Sequence, residues 1–150
     1  MDEFDRAILN IIQFDSRSSA EDIGYQVGLS ASACQRRIKK LKGLGIIKKE
    51  VAIVDRDKLE GFTTLIVDVC LEKGGEKALD DFINRLNREK RVQQFYYTAG
   101  EVDFVLIIVV KNMNEFDKLS RCLLMSNANV KKFHSKVVIQ SNKLGLEVAV

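Results

Sequence analysis

A chain of 150 residues with 46% hydrophobic and 30% charged side chains is long enough for one average domain or two small ones, in proportions ordinary for a soluble globular protein. The longest apolar run, Phe104 to Val110, is far too short to cross a bilayer, and a net charge of +3 does not by itself announce a polyanion partner. Three scattered cysteines (Cys34, Cys70, Cys122), a single histidine and no C-x-x-C argue against a metal site, and no cofactor is expected.

Each cysteine lies in an apolar context and reads as a small core residue. An odd cysteine count without a signal peptide points to a reducing cytoplasm. Residues 2–14, DEFDRAILNIIQF, put Phe4, Ile8, Ile11 and Ile12 on one helical stripe with Leu9 beside it. Asp2, Glu3 and Asp5 sit in the first turn, where the helix dipole favours negative charge. After the turn DSRSS, the spacing Ser18-Ser19-Ala20-Glu21 suggests a capping box that opens a second helix, Ala20 to Val27. Gly28 then supplies a tight turn.

The stretch Leu29 to Ile47, LSASACQRRIKKLKGLGII, organises what surrounds it. On a helix, Cys34, Ile38 and Leu41 form an inner stripe, and Ser32, Arg36, Lys39 and Lys40 project from the other side. Gln35 and Arg37 occupy the two shoulders. Ser30 suits the helix start and Gly45 its stop. Seven basic residues and no acidic one lie between Ala31 and Lys49, whereas residues 1–30 hold six acids and two bases. That face suits phosphate attraction and the reading of base edges, with Arg36 and Arg37 as base readers. Taken alone it suits an ordinary solvated helix equally well. Helix, helix, short glycine turn and basic helix form the helix-turn-helix order, which tips the reading toward double-stranded DNA. The DNA-binding set is then Ser30, Ser32, Gln35, Arg36, Arg37, Lys39, Lys40 and Lys48.

Beyond Gly45, IIKKEVAIVD alternates apolar and polar residues and predicts a two-strand wing, completing a winged helix-turn-helix over residues 1–54. DRDKLEG, residues 55–61, reads as a linker. The second domain, 62–150, opens with a strand over Phe62 to Glu72, and Gly74-Gly75 turns the chain. A helix (EKALDDFINRLN), two strands (VQQFYYTAG and DFVLIIVV), a helix (MNEFDKLSRCLLM) and a last strand (VKKFHSKVVIQ) follow, then the tail SNKLGLEVAV. The order β-α-β-β-α-β predicts a ferredoxin-like unit, an α+β fold with both helices on one sheet face. Leu65, Val67, Val69 and Phe104 to Val110 supply apolar side chains to both faces, so the uncovered face predicts a homodimer.

In this order and spacing the chain resembles the Lrp/AsnC family of leucine-responsive, feast/famine transcription regulators. DEFDRAILNIIQFDSRSS, VGLSASACQRRIKKLKGLGIIK and VDRDKLEGF carry the resemblance in the first domain. TAGEVDFVLIIVV and HSKVVIQSNK carry it in the second. Ala31 stands where such proteins often have proline, and Ser135 where threonine is typical. The resemblance implies a DNA-binding regulator, not an enzyme, that responds to a small amino acid and assembles into dimers and often larger rings. It also implies that Gly100, Glu101 and Asp103 of TAGEVDF line the effector pocket, with Thr98 and Ser135 as lesser members. One acid and exposed amides match the two charges of a free amino acid. Sirohaem decarboxylases share a similar build, but that enzyme reading would need histidines, and this chain offers only His134. A co-regulator without DNA affinity is disfavoured by the intact basic set Arg36, Arg37, Lys39 and Lys40.

Overall fold

The computed structural model describes residues 1–59, 61–72 and 75–150. Glu60 of the expected linker and Gly74 of the expected Gly74-Gly75 turn lie outside the described residues. The chain divides into two compact units, one of Met1–Val54 with Lys143–Val150, the other of Asp55–Asn142. Among the described residues no helix is long and apolar enough to cross a membrane.

The first unit holds α1 (Glu3–Ile12), α2 (Ala20–Val27) and α3 (Ala31–Gly43). Its core is Ile8, Ile23 and Cys34, with Ile11, Ile12, Val27, Leu29 and Ile38 packed around them. Asp2 caps α1 by accepting from the Asp5 N–H at 2.9 Å, and the Asp5 carboxylate reaches back to the Asp2 N–H. At α2 the cap is Ser19, which accepts from the Asp22 N–H at 3.1 Å, one residue later than the Ser18–Glu21 box expected. Gly28 ends α2 in the left-handed region, at φ 73°, and the Gly24 carbonyl accepts from both Gly28 and Leu29. A Cβ built on Gly24 would stand 2.4 Å from the Leu29 carbonyl oxygen, so backbone rather than side chain fills that space.

Two expectations for this unit change. No residue from 46 to 54 pairs as a strand, so the wing is not formed within the chain. Its alternating residues find no neighbouring strand to pair with, and Ile53 is left 89% exposed. The tail, expected with the second domain, returns to α1. There the Gln13 amide exchanges two hydrogen bonds with Val148 (2.8 and 2.9 Å), and Asn10 donates to the Val150 carbonyl at 3.2 Å.

The second unit opens with a 3-10 turn, Arg56–Lys58. It then runs β1 (Thr63–Leu71), α4 (Gly75–Arg88), β2 (Val92–Tyr97), β3 (Phe104–Val110), α5 (Met113–Ser120), a π turn (Arg121–Met125) and β4 (Val130–Val137). The sheet order β2-β3-β1-β4, antiparallel throughout, is that of the ferredoxin-like unit. Leu65, Val67 and Val69 all point to one face with Phe104, Leu106, Ile108 and Val110. Phe82, Leu86, Phe116, Leu119, Leu123 and Leu124 of the helical segments cover them. In this register Ile66, Val105, Ile107 and Val109 belong to the opposite face, where they are only half-buried. Cys34 and Cys70 are buried, but Cys122 is exposed, because the π turn carries it outward while seating Leu123 and Leu124 in succession.

One ion-pair cluster joins the helices of the first unit. Arg37 Nη1 of α3 lies 2.8 Å from Asp2 Oδ2 and 2.8 Å from Asp5 Oδ1, with its guanidinium 5.4 Å from the centre of the Phe4 ring. The Asp5 N–H first, and then Arg37, hold the Asp2 carboxyl below its ordinary value of 3.8. Arg37 is the main cause of the same shift at Asp5.

Two outcomes are expected of variants in this unit. Gly24→Ala forces a Cβ against a carbonyl that cannot move without opening the α2–α3 turn. It should destabilise the unit by about 1–3 kcal/mol in denaturant titration, and unchanged stability would contradict this contact. The depressed carboxyls stabilise the folded state fully above pH 3.8, and that stabilisation is lost as the pH falls below it. Thermal unfolding of Arg37→Ala should therefore show a flatter acid dependence than the wild type, and equal slopes would remove the cluster's role.

Candidate functional site

The outer side of α3 is set by what its inner side must do. Cys34 and Leu41 are buried and Ile38 is half-buried, so Ser32, Gln35, Arg36 and Lys39 form a continuous exposed stripe at the i, i+3, i+4 and i+7 positions. Lys40 is exposed beside it, and Lys48 is exposed beyond the helix. Ser30 is the N-cap. Its Oγ accepts from the Ala33 N–H at 3.3 Å and shares a 3.2 Å hydrogen bond with the Ser32 hydroxyl. The cap takes up the Ala33 N–H, and the earlier N–H groups of the helix start, together with the dipole, suit a phosphate oxygen.

Arg37 departs from the expected reading set. From its shoulder position the side chain folds inward onto Asp2 and Asp5 and keeps 28% of its exposure. Hydrogen bonds to Asp5 first, and then Asp2, raise its pKa further, so it stays charged and held. Its neighbour Arg36 is exposed and makes no ion pair among the described residues. Lys42 is also committed, pairing with Glu50 at 2.8 Å. On α2, Tyr25 is 93% exposed and was not singled out in the sequence, where its only signal is an aromatic on the outer side of a short amphipathic helix.

The loop from Thr98 to Asp103 joins β2 to β3. The Thr98 hydroxyl donates to the Val102 carbonyl at 2.6 Å, and its N–H donates to the Asp103 carbonyl at 2.8 Å. Beyond the last β1–β3 pair, the Asp103 carboxylate accepts from the Leu71 N–H at 2.7 Å, adding one bond to the ladder. The Cys70 thiol donates to the Glu101 carbonyl at 3.6 Å, tying the loop tip back to β1. Thr98, Gly100, Glu101 and Asp103 thus share one braced loop. Ser135 does not join them within the chain, since it sits on the outer strand β4 opposite Val67, with β1 between β4 and β3. Asp103 uses one carboxylate oxygen here and keeps acceptor capacity for another donor.

Comparison with known proteins agrees with both halves. Residues 1–42 match the model of the AsnC-type helix-turn-helix domain, and residues 64–147 match that of the Lrp/AsnC ligand binding domain. An HTH-type transcriptional regulator of Sinorhizobium fredii is 35% identical over 150 residues, covering 100% of this chain and 89% of that protein. The crystal structure of an AsnC family transcriptional regulator from Agrobacterium tumefaciens superposes with a TM-score of 0.90 at 29% identity, over 99% of this chain and 96% of that one. A transcriptional regulator from Neisseria meningitidis, solved as a complex with L-Met, superposes with a TM-score of 0.89 at 25% identity, over 99% and 96%. With a helix-turn-helix that frees one stripe of α3 and a ferredoxin-like sheet behind a braced hairpin loop, the chain belongs to the Lrp/AsnC family of transcriptional regulators.

Proposed function

We propose that this regulator reads a specific DNA sequence with the outer stripe of α3, and that a small amino acid modulates its assembly or its DNA affinity. The observation that carries the reading is the division of labour among the basic residues of α3. Arg37 holds the helix to α1, which leaves Arg36 with Gln35 on the open side. Arginine pairs bidentately with a guanine edge and glutamine with adenine, whereas Ser30, Ser32, Lys39, Lys40 and Lys48 have the chemistry of phosphate contacts.

The second unit supports the effector half. Asp103 offers a carboxylate to an α-ammonium, and the N–H groups about Gly100 and Glu101 offer donors to a carboxylate. The L-Met complex of the Neisseria relative shows an amino acid bound in a protein of this fold. The half-buried apolar set Ile66, Val105, Ile107 and Val109, left without a helical cover, supports a homodimer formed through that face. Two α3 helices related by a twofold axis then call for a near-palindromic site. A ligand held between subunits shifts the assembly by its differential affinity, and DNA with several sites senses that shift.

Two measurements test these roles. Arg36→Ala should cost about 1–3 kcal/mol on a specific operator and relax its base preference, read by mobility shift against operator and scrambled DNA. Unchanged affinity and selectivity would remove Arg36 from the readout. Asp103→Ala should abolish the amino-acid response, screened calorimetrically across the twenty amino acids, and leave ligand-free DNA binding nearly intact. Full-strength binding by the variant would move the effector site elsewhere.

A further inference from the structure

The second unit carries five arginines, and three of them are engaged. Arg56 donates to Thr64 and Gln93, Arg91 pairs with Glu89, and Arg121 pairs with Asp117. Arg85 and Arg88 make neither a hydrogen bond nor an ion pair among the described residues, and both open on the same groove, of about 530 Å³. One wall is a stripe of α4 that includes Asp81, Phe82, Arg85 and Arg88. The other is the turn Asn127–Asn129 that leads into β4.

That turn is a fixed wall. The Asn127 Oδ1 accepts from the Asn129 N–H at 3.0 Å, the Asn127 carbonyl accepts from the Val130 N–H at 2.9 Å, and the Asn129 carbonyl accepts from the Glu72 N–H at 2.7 Å. The side-chain Nδ2 of Asn129 is enclosed and has no acceptor, the one such atom among the described residues. Folded proteins rarely leave a buried donor unmet. Asp81, one turn before Arg85, forms no ion pair with it despite the i, i+4 spacing, so the groove keeps two free cations and one free anion.

We propose that this groove is a second small-molecule site, separate from the hairpin loop, and that it takes a compact dicarboxylate, with an acidic amino acid as the full match. Arg85 and Arg88 lie three residues apart on α4, so their Cβ atoms stand about 5–6 Å apart and each long side chain can take one carboxylate of a ligand whose two carboxylates are joined by two or three methylenes. An ammonium on that bridge meets Asp81. A ligand with two negative charges and one positive matches the lining charge for charge. This inference stands on residues other than those of the effector loop, so either site can fail alone.

The test is calorimetric titration of the full chain with glutarate, L-glutamate and inorganic phosphate, using the wild type, Arg85→Ala/Arg88→Ala, Asp81→Asn and Asp103→Ala. Glutarate should bind the wild type saturably, bind the double arginine variant at least tenfold more weakly, and bind Asp103→Ala unchanged. In the Asp103→Ala background L-glutamate should bind more tightly than glutarate, and adding Asp81→Asn should erase that preference. Both arginines are exposed, so their removal leaves the fold in place, as circular dichroism would verify. The proposal is overturned if glutarate does not bind, if the double arginine variant binds it as well as the wild type, if Asp103→Ala rather than the arginine variant loses it, or if phosphate binds as tightly.

Discussion

The guanidinium of Arg37 is the point on which the first unit turns. Asp5 is 3% exposed and carries a charge that would be unpaired at that depth without the arginine. Asp2 is at once the cap of α1 and the second partner, so the start of one helix and the middle of another share a single electrostatic joint. A lysine would not replace it, because a planar guanidinium can face two carboxylates and still rest on the Phe4 ring. Fixing α3 from this side leaves its opposite side open with a defined orientation. A reading helix needs that orientation, since base edges are discriminated by geometry rather than by charge alone.

Much of this was legible in one sequence. Helical periodicity separated Cys34 and Leu41 from Arg36 and Lys39, and the β-branched runs with their two intervening helices gave the strand order its pattern. Arg37 shows where that kind of reading stops. A shoulder residue with a long side chain can turn either way, and its partners lie 35 and 32 positions earlier, outside any periodic window. The wing fails for a related reason, because the alternation of residues 46–55 says that they suit a strand but not that a neighbour is present to pair with. Cys122 looked inward because regular α-helical spacing was assumed through a segment that departs from it.

The candidate sites divide the same way. Thr98 to Asp103 is contiguous, and its turn chemistry is written in adjacent residues. Its bracing to Leu71 and Cys70 is not, since it depends on which strand runs beside β3. Ser135 stands apart within the chain, and its membership in the pocket rests on family resemblance. The α4 groove left no mark in the sequence, because Arg85 and Arg88 read as ordinary surface charges until the fold brings Asn129 opposite them.

The π turn has a consequence for how this unit tolerates change. The Ser126 N–H bonds back five residues to the Arg121 carbonyl at 2.9 Å, so the segment holds one residue more than an α-helix of equal rise. Deleting a single residue from Arg121–Met125 would take out that surplus residue and restore regular winding, so Asn127 and the residues after it would keep their facing. β4 would then enter the sheet in the same register, with Phe133 and Ser135 still on the face against the helices. A deletion at the start of β4 has no such surplus to draw on, and with a side-chain period of two it would bring His134 and Lys136 to that face. The π turn is thereby the place in this unit where one residue can be lost without a compensating change of length elsewhere.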